Sequence, residues 1–126
     1  TYIWYLKPSN IPLGLEWLEK SAKEDNNSAC RLLSGFYSTY YGHTGYLDVE
    51  KAIKYGRQAL SIQPDELPHQ TMALAYALDG QFEKAVKHQE QAIEFVRKKY
   101  KHRENYQTIL GRLETKLELY RNKNTR

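Results

Sequence analysis

The chain has 126 residues, 40% hydrophobic and 27% charged, with 7 Gly and 4 Pro. That balance fits one globular domain rather than two or a disordered tail, and at this length folding buries roughly two-thirds of the unfolded surface without help from a metal or a disulfide. Cys30 is the only cysteine, which excludes an intramolecular disulfide framework and a thiolate zinc site, and no run of apolar residues is long enough for a membrane span.

A soluble chain is expected, cytoplasmic or exported being left open. The first residue is Thr1 rather than Met, so nothing is read from the lack of a leader. The net charge of +4 conceals a polarity: residues 1–96 hold nine Lys/Arg against twelve Asp/Glu, while residues 97–126 hold ten against three. The densest part is Arg97, Lys98, Lys99, Lys101 and Arg103. Cations there complement the C-terminal end of a helix dipole, and the alternative is attraction of phosphate or acidic protein.

Taken in chain order, Tyr2 to Leu6 reads as the end of a first helix, closed by Lys7-Pro8-Ser9-Asn10-Ile11-Pro12 before a helix over 13–24. A helix over 29–41 carries Leu33, Phe36, Tyr37 and Tyr40 at helical spacing. The Gly42-His43-Thr44-Gly45 loop leads to Asp48, an N-cap for the helix holding Ala52 and Ala59. Pro64-Asp65-Glu66-Leu67-Pro68 ends that helix and begins another over 68–79, which Asp79-Gly80 breaks. A helix containing Ala85 and Ala92 follows. A last one over 103–121 sets Tyr106, Ile109, Leu110, Leu113, Leu117 and Tyr120 on one stripe with charge opposite.

The segments recur. Ala22, Ala59 and Ala92 are 37 and 33 residues apart, and seven residues before each stands Leu15, Ala52 or Ala85, two turns away on the same helical face. Met72-Ala73-Leu74-Ala75-Tyr76, Gly80-Gln81-Phe82-Glu83-Lys84-Ala85 and Gln91-Ala92-Ile93-Glu94 together resemble a tetratricopeptide repeat. Residues 29–60, with Leu33, Tyr37, Gly42, Gly45, Asp48, Lys51-Ala52, Tyr55 and Ala59, are more similar to the Sel1-like variety. His69 and Ala73 depart from the tetratricopeptide pattern, which prefers Trp and Gly there. The resemblance covers residues 11–98. It implies an all-α fold, a right-handed α-solenoid of antiparallel helix pairs: a partial repeat over 1–25, repeats over 26–63 and 64–98, and a capping helix over 103–121.

The residues themselves assemble no enzyme. His43, His69, His88 and His102 fall on different elements without metal-ligand spacing, and only His88 is expected on the packed side of a helix. Cys30 reads as a buried, inert thiol. Glu16, Glu19, Glu90 and Glu94 read as solvated charge, Glu90 beside Lys84 and Lys87. No phosphate loop is present, and no metal or other cofactor is expected. The chain has eleven tyrosines. Tyr37, Tyr55 and Tyr76 fall at core positions, whereas Tyr40, Tyr41 and Tyr46 crowd the glycine loop, where packing and partner contact are equally open.

The resemblance places a concave face on the first helices of the pairs and implies a non-enzymatic scaffold or adaptor binding protein or peptide there. Its groove positions fall on Arg31, Gly35, Ser38 and Thr39, then on Gln70, Leu74, Ala77 and Leu78. Arg112 and Lys116 join them if Leu110-Gly111 replaces the family's Leu-Gly pair. The lysine and asparagine clamp for a terminal carboxylate is missing. An acidic or amphipathic protein segment is the expected ligand, and charge reversal at Arg31 or Arg112 is expected to weaken binding without lowering the melting temperature. The alternatives are a nucleic-acid binder using the basic C-terminal third, with Tyr100 stacking on a base, and an inhibitor of a toxic effector, a role that some bacterial Sel1-like proteins fill. A monomer would cover Leu15, Leu18 and Ala22 with Tyr2 to Leu6, a homodimer with a second chain.

Overall fold

The computed structural model describes residues 11–42 and 44–124, so the expected helical end at Tyr2 to Leu6 lies outside the described residues. Within them the fold is all-α. Six helices, α1 Ile11–Lys23, α2 Asn27–Tyr37, α3 Val49–Ile62, α4 Glu66–Leu78, α5 Phe82–Lys99 and α6 Tyr106–Asn124, are accompanied by a 3-10 turn at Thr44–Tyr46 and no strand. Each helix packs on its neighbours in sequence, and α2 also meets α4. No helix among the described residues is long and apolar enough to cross a membrane.

Side-chain caps set the helix starts. Asn26 Oδ1 accepts from Ala29 N at 2.9 Å, Asp48 Oδ1 from Lys51 N at 3.0 Å, and Asp65 Oδ1 from Glu66 N at 2.9 Å. The Asp65 cap begins α4 two residues before Pro68, which sits in the first turn where its missing N–H costs nothing. The helix expected over 29–41 ends at Tyr37 instead, because Thr39 takes a left-handed backbone with φ 67 and Tyr40 N turns back to Gly35 O at 2.9 Å. The last helix starts at Tyr106 rather than 103: two turns, Arg103 N to Tyr100 O and Tyr106 N to Arg103 O, occupy the interval.

The recurring small residues are interior. Ala22, Ala52, Ala59, Ala85 and Ala92 are all buried, with Cys30, Leu33, Phe36 and Met72 among them. Helices α3 and α4 approach so closely that a Cβ on Gly56 would meet Met72 Cγ at 2.7 Å and Ser34 Oγ at 3.1 Å. Polar side chains tie the helices where the chain crosses itself. Gln58 Nε2 donates to Ala22 O at 2.6 Å, and Asn27 Nδ2 to Ala59 O at 3.1 Å, each serving a carbonyl near a helix end. Deeper, the Ser34 and Thr71 hydroxyls lie 2.7 Å apart, with Ala52 O at 2.8 Å and Pro68 O at 3.0 Å. Two protons serve those three short contacts, so one bridges the hydroxyls while the other goes to a carbonyl.

Helix α6 docks on α5 through Leu110, Leu113 and Leu117, against Ala92, Ile93 and Val96. Two ion pairs flank this seam, Arg97–Glu114 at 3.0 Å and Arg121–Glu90 at 2.9 Å, all four side chains being half-exposed. Burying each leucine is worth about 2 kcal/mol, whereas an exposed ion pair contributes about 0.5 kcal/mol, so the apolar stripe decides the docking. Glu90 therefore reaches across to α6 rather than along its own helix to Lys84 and Lys87.

Candidate functional site

Thr39, Gln70, Leu74, Leu78 and Lys116, all nominated from the sequence, line one open cleft of about 370 Å³ with Tyr40, Gln89 and Tyr120. Helix α4 supplies Gln70, Leu74 and Leu78 at successive fourth positions, one face of a helix. Helix α6 supplies Lys116 and Tyr120 at the same spacing, and Gln89 of α5 closes the floor. Tyr40 arrives because the left-handed turn at Thr39 swings the chain off the end of α2. Leu78 is 51% exposed and Tyr40 42%, so the cleft has an apolar wall open to solvent.

Arg112, one turn before Lys116 on α6, bears on the same region. Burial pushes the Tyr40 phenol up, Glu66 adds to the rise, and Arg112 opposes it. Arg112 and Lys116 are both exposed, and neither forms an ion pair among the described residues.

Two nominated residues are otherwise engaged. Ser38 is fully buried, donating to Gly35 O at 3.0 Å, and no partner can reach it. Arg31 pairs with Asp65 at 2.9 Å, so it braces α2 against the start of α4 instead of facing a ligand. Of the further groove positions, Gly35 lies beneath the Tyr41 ring, which leaves no room for a side chain, and Ala77 packs half-buried against the core.

Asp65 belongs to a larger node. Tyr100 OH donates to Glu66 Oε2 at 2.9 Å and lies 3.3 Å from Asp65 Oδ1. Burial, with Asp65 beside it, pushes the Glu66 carboxyl up to about 7. The Arg103 guanidinium covers the Tyr100 ring at 3.9 Å and Phe95 meets its edge. Tyr100 is thus held on its hydroxyl and one face. Arg97 and Lys98 are likewise paired, with Glu114 and Glu94.

The histidines correct the sequence reading. His69 is half-buried like His88, and the two Nδ1 atoms face each other at 3.4 Å between α4 and α5. Ring centroids 5.7 Å apart place both nitrogens near the line joining the rings, so one neutral ring can donate its Nδ1 proton to the other. Burial lowers both, His88 to about 4 with His69 and Arg57 adding to the effect. Among the described residues no three His, Cys, Asp or Glu side chains are placed to hold a metal ion. Cys30 is buried and its thiol pushed up, chiefly by that burial. Glu19, expected in solvent, accepts from Tyr37 OH at 2.9 Å. Of the loop tyrosines, Tyr46 packs on Phe36 with centroids 4.9 Å apart, whereas Tyr40 faces the cleft.

Gln89, Tyr120 and Tyr40 are the cleft residues that sequence reasoning did not nominate. A signal existed for Gln89: it is a polar residue in the buried register Ala85, Gln89, Ala92, Val96. No family model, no curated protein and no solved structure matches the chain.

Proposed function

We propose that this chain is a non-enzymatic protein-interaction module, an α-solenoid of helix pairs whose cleft between α4 and α6 takes an acidic or amphipathic protein segment. The observation that carries this reading is the composition of the cleft. Leu74, Leu78 and Tyr40 offer apolar surface, Lys116 lines the facing side with Arg112 one turn before it, and neither cation forms an ion pair among the described residues. Apolar anchors beside unpaired cations match a segment carrying hydrophobic side chains next to carboxylates. The all-helical succession, with α2 also touching α4, supports stacked pairs.

The test is capture of binding proteins from the source organism's lysate after nuclease treatment, washed at low and high salt. A discrete protein kept at high salt and lost with Lys116→Glu is the expected result, since apolar anchoring resists screening. Material that is nuclease-sensitive and released steeply by salt would shift the function to the basic C-terminal third.

A further inference from the structure

Helix α4 carries Glu66, Gln70, Leu74 and Leu78 at successive fourth positions, so the face that walls the cleft runs back one turn from Gln70 to a carboxyl group. Asp65 stands beside that group, and the two acids are not equivalent. Asp65 has a cation, Arg31 at 2.9 Å, and caps the helix as well. Glu66 is half-buried and belongs to none of the ion pairs among the described residues; Tyr100 OH donates to its Oε2 at 2.9 Å. A half-buried carboxyl beside a carboxylate that already owns its cation is the one that takes a proton. Burial, then Asp65, push Glu66 up to about 7, and the Tyr100 hydroxyl opposes the rise.

The charged and titratable groups around Glu66 come from four sides. Helix α2 and the turn after it bring Arg31, committed to Asp65, and Tyr40. The end of α5 brings Tyr100, with Arg103 over its ring, and α6 brings Arg112. On α4 itself stand Asp65 and His69, the latter lowered by burial and so neutral at pH 7. Tyr40, which lines the cleft, interacts electrostatically with Glu66 and Arg112 alike, and so ties the carboxyl to the basic side of the site. With its proton on, Glu66 leaves Lys116 and Arg112 to attract an acidic segment. With its proton off, it adds a negative charge at the end of the wall, which repels the segment's carboxylates and draws on the same cations.

We propose that Glu66 is a proton-operated switch on the cleft: an acidic segment binds while Glu66 carries its proton and is repelled once Glu66 ionises. This rests on the interaction-module reading and adds the regulation of that same site.

The experiment selects a display library of linear peptides, rich in acidic and apolar residues and free of His, against the full chain at pH 6. The strongest binder is resynthesised with blocked ends, so that its own charge is constant from pH 6 to 8. Affinities over that range are measured for the wild type, Glu66→Gln, Tyr100→Phe and Lys116→Glu, with melting temperatures alongside. The wild type should lose about fivefold in affinity across a midpoint near 7, the scale of one added charge at a partly solvated site. Glu66→Gln should show no such loss. Tyr100→Phe should move the midpoint to higher pH, because the ionised carboxylate loses a donor, a shift that a purely structural role of Tyr100 would not produce. A flat wild-type profile, or the same loss in Glu66→Gln, would overturn the switch and, where Lys116→Glu still abolishes binding, leave the cleft reading standing. Binders indifferent to Lys116→Glu, or no binder at all, would overturn the cleft reading and the switch with it.

Discussion

The Arg31 guanidinium meets the Asp65 carboxylate at 2.9 Å, joining α2 to the residue that caps α4. The Asp65 side chain is only 15% exposed, so this pair is screened less than the surface ion pairs on α5 and α6. Arg31→Glu places a third carboxylate beside Asp65 and Glu66 and should cost about 2 kcal/mol of stability. Urea denaturation reads this as a lower midpoint, whereas an unchanged midpoint would mean that the Arg31–Asp65 pair contributes nothing to the fold.

The carboxyl of Glu66 titrates about 7 when folded, above its ordinary 4.5, because it is buried next to Asp65. A group raised on folding contributes stability that is complete below the ordinary value and lost as pH rises through the folded one. Glu66→Gln should therefore gain stability over the wild type above pH 7, on the order of 1 kcal/mol after solvent screening, with no such gain below pH 4.5. Melting temperatures of both proteins across that range give the difference curve, and a gain equal at every pH would rule out titration as its source.

His88 works in the opposite sense. Burial, His69 and Arg57 lower it from 6.5 to about 4, so the stability tied to its neutral form is present above 6.5 and is lost as pH falls through 4. His88→Phe keeps a ring on Tyr76, stacked at 5.6 Å, while removing the proton. The variant should lose less stability than the wild type between pH 6.5 and 4. Parallel pH profiles would contradict the titration at His88.

Gly56 sets the spacing of α3 and α4. An alanine there gains up to about 1 kcal/mol of helix propensity but drives its Cβ into the fully buried Met72 side chain, and overpacking of this kind costs about 1–3 kcal/mol. Gly56→Ala should lower the melting temperature, and the same substitution should cost less in a Met72→Ala background, where the side chain it strikes is gone. A higher melting temperature in the single variant would mean that the helices move apart freely.

One helix start was legible because the chain states it locally: Asp48 acts as the expected cap, and Asp79-Gly80 ends α4 as its turn chemistry requires, whereas α4 starts at Glu66 rather than at the expected Pro68 because Asp65 caps it. The alanine spacing also identified interior positions correctly, since it reflects helical geometry alone. What depends on how helices cross was not legible. Nothing local to Ser38 says that it is enclosed, and Arg31 finds Asp65 thirty-four residues away only because α2 packs against α4. The His69–His88 contact likewise arises between helices, each histidine alone resembling a half-exposed side chain. The early end of α2 escaped because Thr39, neither glycine nor asparagine, takes the left-handed turn, and that turn is what brings Tyr40 into the cleft.

The central claim is that the apolar wall of this cleft, with Lys116 lining it and Arg112 one turn away on α6, holds an acidic or amphipathic segment. Its most direct test is the affinity of the captured partner protein for the Arg112→Glu, Lys116→Glu double variant. Both side chains are exposed and without ion pairs among the described residues, so the fold should be untouched. The account predicts at least a tenfold loss of affinity at an unchanged melting temperature, the scale on which reversed charges act at a desolvated interface. Full affinity in the double variant would contradict it.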